Sequence, residues 1–115
     1  MIGSPSVDVP FDVRLDQDAH VVVRGDIDLG AAPRLASALE AASSANPARV
    51  TVDLGGVTML DSSGLAALVN HQRHLGSRGG VVVLTSVPAS VAHVLDVAGV
   101  AAVFPVVEDG RSARF

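Results

Sequence analysis

The spacing of apolar positions changes several times along this chain, and each change marks an element. Phe11-Asp12-Val13-Arg14-Leu15 alternates apolar with charged, the period of a half-exposed strand. Asp16-Gln17-Asp18 turns the chain into Ala19-His20-Val21-Val22-Val23-Arg24-Gly25, a second strand, and so short a turn predicts an antiparallel hairpin. After Gly25-Asp26-Ile27-Asp28 the period lengthens: Leu35, Leu39 and Ala42 form the stripe of a helix that starts near Gly30 or Ala31, carries Pro33 in its first turn and stops before Asn46-Pro47. Val50 to Leu54 is β-branched and strand-like, Gly55-Gly56 is expected to break it, and Val57 to Leu60 runs on extended. Leu65, Leu68, Val69 and Leu75 then mark one face of a second helix, with Gln72 as the polar exception. Gly76 and Gly79-Gly80 close that helix, and Val81 to Thr85 reads as a strand covered on both faces. Pro88 opens a third helix through Val97, with Val91, Val94 or Leu95, and Ala98 inward and Gly99 as its stop. Ala101 to Val107 is expected to be a last edge strand, marked as an edge by Pro105.

The order β-β-α-β-α-β-α-β predicts a single α/β domain. Its sheet is mixed but mostly parallel, of about four to five strands, and begins with an antiparallel hairpin, with helices packed on it. Residues 1–10, with Gly3, Pro5 and Pro10, are expected to be a flexible arm, 11–107 the domain, and 108–115 a polar tail.

Composition removes several kinds of chemistry. At 115 residues the chain makes one domain with a real core, and without cysteine it has no disulfide, thiol catalyst or cysteine-zinc site. A net charge of −4 with scattered arginines as the only basic side chains argues against a nucleic-acid surface. Three Phe with no Trp or Tyr offer little stacking for bases or sugars. No apolar run approaches a membrane span, and Met1-Ile2-Gly3-Ser4-Pro5 lacks the basic and apolar regions of a signal peptide, so a cytoplasmic location is expected.

The stretch with most chemistry is Asp61-Ser62-Ser63-Gly64, at the passage from a strand into a helix. Asp and Ser are preferred N-caps, and capping alone explains them. The same position puts a hydroxyl beside open helix N–H groups, where an added phosphate dianion is held favourably. Other sets are weaker. His71 and His74 lie three apart but lack an accompanying carboxylate, and read as a solvated helix face. His20 reads as a surface residue at a strand start. Leu60-Asp61-Ser62-Ser63-Gly64 does not supply the G-x-S-x-G of a serine hydrolase, and the paired glycines match neither a dinucleotide fingerprint nor a P-loop. Asp53 lacks the acidic pair and Lys of a phospho-accepting receiver. No cofactor, metal or enzymatic activity is expected.

Gly25-Asp26-Ile27-Asp28 before a helix, then Val-x-Val-Asp-Leu, then Met59-Leu60-Asp61-Ser62-Ser63-Gly64-Leu65, resembles the STAS domain of bacterial anti-sigma factor antagonists over roughly residues 10–107. The resemblance implies that Ser62 accepts a phosphate from an anti-sigma factor that is itself a serine kinase of the histidine-kinase-like ATPase type. It also implies that Asp28, Asp61, Ser62, Ser63 and Gly64 border the partner-binding surface. The implied mechanism is partner switching: the unphosphorylated protein, a monomer or weak dimer, binds the anti-sigma factor and frees the sigma factor for transcription, and phosphorylation releases it. The alternative is a non-phosphorylated STAS scaffold, or an accessory subunit of a transporter or stress-signalling complex. A nucleotide-binding STAS domain and a hydrolase built on Ser62 come after it. The family usually ends in a further helix, for which Gly110 to Phe115 leaves almost no room.

Overall fold

The computed structural model describes residues 10–107, so the expected tail, and the expected arm apart from Pro10, lie outside the described residues. β1 (Asp12–Asp16) and β2 (His20–Ile27) form the expected antiparallel hairpin, with Val13 opposite Val23 and Leu15 opposite Val21. β3 (Arg49–Leu60), β4 (Val81–Thr85) and β5 (Val106–Val107) follow in parallel, so the five strands lie side by side in chain order. The crossovers are α1 (Ala32–Ala45), α2 (Ser62–Gly76) and α3 (Ala89–Val97).

Alternation along the strands selects one face for the core. Val21, Val23 and Ile27 of β2, Val50, Val52 and Leu54 of β3, and Val82 and Leu84 of β4 join Leu35, Leu39, Leu68, Leu75, Val91 and Leu95 of the helices in one cluster. Each such side chain removed from water contributes about 1.5–3 kcal/mol against the entropy of ordering the chain. Between them, Val22, Thr51 and Asp53 face the other way and are half-buried. Among the described residues no helix is long and apolar enough to cross a membrane.

Four expectations change. Gly55-Gly56 does not end β3, which runs on to Leu60 because β2 stays paired to it through Gly56–Arg24, Val57–Gly25, Met59–Asp26 and Leu60–Ile27. Only the pairing with β4 stops, at Asp53–Thr85. Gly56 is needed there, since a Cβ would lie 2.7 Å from Arg24 Cγ. The last strand shrinks to Val106–Val107, because Ala101–Val103 forms a 3-10 turn and Phe104 leaves the edge to bury itself in the core. In α3 Leu95 is buried and Ala98 exposed, so the inward stripe is Val91 and Leu95. His71 does not lie on a solvated face: the buried stripe of α2 is Gly64, Leu68, His71 and Leu75, and only His74 of the pair is exposed.

Candidate functional site

The end of β2 and the end of β3 are one place in the fold. Ile27 pairs with Leu60 across the ladder, and the Asp61 N–H donates to Ile27 O at 3.1 Å. The first turn of α2 then lies directly on β2. A Cβ on Gly64 would stand 2.5 Å from Ile27 Cγ2, 2.7 Å from Leu60 Cδ1 and 2.9 Å from Ile27 O, so only glycine lets the helix approach this closely. Gly64 is therefore buried. It lies beneath the serines and sets their height.

Asp61 is the N-cap of α2. Its Oδ1 accepts from the Ser63 N–H at 2.9 Å, the Gly64 N–H at 3.1 Å and the Ser63 hydroxyl at 2.7 Å. These bonds hold the carboxyl below its ordinary pKa; the Ser63 hydroxyl contributes most, the Gly64 N–H next, against a smaller opposing effect of burial. Asp61 thus stays ionised at neutral pH, while its N–H, bonded to Ile27 O, ties the end of β2 to the start of α2.

The two serines differ because of this. Ser63 is half-buried and its hydroxyl is committed to Asp61. Ser62 is the first residue of α2 and is exposed. A phosphate on Ser62 would meet the positive end of the helix from outside the cap, with Asp61 beside it.

Asp28 lies on the adjoining loop and is exposed. Its main-chain oxygen accepts from the Ala31 N–H at 3.1 Å and the Ala32 N–H at 2.9 Å, and its Oδ1 accepts from the Ala31 N–H at 3.0 Å. Asp28 therefore starts the turn that feeds α1, whose own N-cap is Ala31, and stands next to Leu29. Sequence reasoning missed Leu29, which is 75% exposed, and Met59, which is 38% exposed. Leu29 left one sign: it is a large apolar residue in an Asp-Leu-Gly loop, outside any strand or helix period. It also missed the cross-strand bond from the Thr58 hydroxyl to Asp26 Oδ1, which fixes a further carboxylate beside Met59.

The histidine pair makes no metal centre. The rings of His71 and His74 are 6.2 Å apart, and among the described residues no three His, Cys, Asp or Glu side chains are placed to hold a metal ion. His71 instead borders a cavity of about 270 Å³ between α1 and α2, shared with Ala36, Glu40, Asn70 and His74.

A single α/β domain, then, presents an exposed serine at a helix start, whose capping residue is bonded through its main chain to the end of the neighbouring strand. The chain belongs to the STAS domain family: the model of that family described as "Mlab, STAS domain" matches residues 12–108. Among solved structures it is similar to an anti-sigma factor antagonist from Mycobacterium paratuberculosis, at 28% identity and a TM-score of 0.67 over 84% of this chain and 83% of that one. It is also similar to an anti-sigma-factor antagonist (STAS) domain protein from Planctomyces limnophilus, at 25% identity and a TM-score of 0.68 over 87% and 90% of the two chains. A sulfate transporter family protein from Wolinella succinogenes shares the fold at 22% identity and a TM-score of 0.61, over 70% of this chain and 66% of that one.

Proposed function

We propose that this protein is an anti-sigma factor antagonist of the bacterial cytoplasm that works by partner switching, with Ser62 as its phosphorylation site. The observation that carries the reading is the division of labour between the serines: Asp61 engages the Ser63 hydroxyl and leaves Ser62 exposed at the first turn of α2. The partner is an anti-sigma factor with serine kinase activity, and Asp28, Leu29, Asp61, Ser62 and Ser63 form the surface it meets. This chain is the substrate in that reaction and not the enzyme. Unphosphorylated, it occupies the anti-sigma factor and frees the sigma factor for transcription. Phosphorylation adds a charge of about −1.5 to −2 at neutral pH. In a packed interface that charge loses water and stands near Asp28 and Asp61, which costs several kcal/mol, whereas about 1.4 kcal/mol is already tenfold in affinity. Release follows from repulsion without refolding.

The test is to incubate the protein with its cognate anti-sigma kinase and ATP and locate the modification by mass spectrometry. One phosphate on Ser62, absent from Ser62→Ala and retained by Ser63→Ala, is expected. Stoichiometric modification elsewhere removes the reading. The second reading, a non-phosphorylated scaffold or transporter subunit, rests on the fold shared with the transporter-family protein, and a fold brings no partner with it.

A further inference from the structure

The chain that follows α3 is fastened lightly to the domain. α3 runs out at Gly99, whose φ is +76°, and the Val100 N–H still donates to Leu95 O at 3.0 Å, so Val100 closes the helix. Ala101–Val103 then makes one 3-10 turn, with bonds from the Val103 N–H to Val100 O at 3.1 Å and from the Phe104 N–H to Ala101 O at 3.3 Å. Such a turn has poorer hydrogen-bond geometry than an α-helix, and all three of its residues are exposed. The turn is also a wall between two cavities. One, of about 450 Å³, borders Leu95, Ala101, Phe104 and Val106; the other, of about 260 Å³, borders Val69, Gln72, Arg73, Val100 and Val103. Beyond the turn, Phe104 is buried, the Leu84 N–H donates to Pro105 O at 2.8 Å, and the two residues of β5 stand opposite Leu84 and Thr85.

We infer that residues 101–107 are a strap, latched by Gln72, that opens while the rest of the domain stays folded. Segments with few buried side chains and short ladders open locally, at a lower cost than unfolding the whole chain. Gln72, on α2, supplies the latch. Its Oε1 accepts from the Val82 N–H at 2.7 Å and its Nε2 donates to Val82 O at 3.0 Å, which seats the carboxamide on β4; the same Nε2 donates to Val103 O. The bonds to Val82 survive opening and the bond to Val103 does not, so the donor waits in place for the strap to return. β4 lies on the boundary between the part that opens and the part that does not. Main-chain direction alternates along a strand: the Leu84 N–H faces the strap, whereas Val83, opposite Thr51, turns its N–H toward β3. Opening therefore frees the Leu84 amide and leaves its neighbour bonded.

Amide hydrogen exchange of the full chain, followed residue by residue by nuclear magnetic resonance, tests this. In the wild type the protection factor of Leu84 should be at least tenfold below that of Val83, its neighbour in the same strand. Gln72→Glu keeps the acceptor for the Val82 N–H and loses the donor to Val103 O. It should lower the protection of Leu84 at least a further fivefold relative to Val83, with the Val82 amide still protected. Using Val83 as the reference separates strap opening from a general loss of stability. Equal protection of Leu84 and Val83 in the wild type overturns the inference. So does a Gln72→Glu variant in which the two amides lose protection by the same factor. A Gln72→Glu chain that does not fold overturns it as well, because the latch of a strap that opens locally does not hold the whole domain together.

Discussion

Gly64 is a helix residue at which the ordinary rule for glycine reverses. Replacing a helical glycine by alanine usually gains about 0.5–1 kcal/mol. Here the new methyl would sit 2.5 Å from Ile27 Cγ2 and 2.9 Å from Ile27 O, and forcing α2 off β2 costs about 1–3 kcal/mol. Gly64→Ala should therefore lower stability in urea unfolding; a gain would mean that the helix does not rest on β2. His71 carries a second prediction. Burial, with a smaller contribution from the charge of His74, holds its pKa below the ordinary value, and Glu40 across the cavity opposes this. As pH falls below about 6.5 the unfolded chain takes up the proton first, so the stability present above that pH is lost down to the lower folded-state pKa. His71 Nε2 is buried without a hydrogen-bond partner, so His71→Leu should keep or raise stability at pH 7.5 and flatten this part of the slope between pH 7 and 5. Urea midpoints across that range check it, and an unchanged slope contradicts it.

The elements show what pattern reading can and cannot recover. Periods fixed the hairpin, the three helices and the parallel strands, because each has one face in a common core. Three departures share a cause: they depend on a neighbour distant in sequence. Gly55-Gly56 looks like a stop, but β2 holds it in the ladder. Ala101 to Val107 looks like a strand, but Phe104 is drawn into the core and the edge is filled from α2. His71 looks like a surface residue until α1 is placed over it. In the site, the Asp-Ser-Ser-Gly signature gave the cap and Ser62 as the candidate, whereas the distinction between the serines needed the Asp61 geometry. The start of α2 makes its own prediction. Ser62→Asp adds a negative charge where a helix N-terminus accepts one, so stability should change by about 1 kcal/mol or less. Circular dichroism melts measure that change, and a larger loss would place Ser62 in a packed and not an exposed setting.

On the scale of the whole molecule, two loops separated by a helical crossover meet at one end of the sheet, joined by the bond from the Asp61 N–H to Ile27 O. Whether they act as one surface is tested at Asp28. Asn caps about as well as Asp, so Asp28→Asn should leave stability unchanged. Its affinity for the anti-sigma factor should drop severalfold if the carboxylate meets a cation of the partner. Wild-type affinity in calorimetry would confine Asp28 to its role in the turn before α1. Leu29→Ser, at a position already exposed, should likewise weaken binding with the fold intact. The most direct measurement compares the unphosphorylated protein with protein phosphorylated on Ser62, by calorimetric titration against the anti-sigma factor and by thermal melting of each form alone. Partner switching by interface repulsion predicts at least a tenfold loss of affinity with nearly coincident melts. Equal affinity of the two forms, or a loss accompanied by unfolding of the phosphorylated chain, would contradict it.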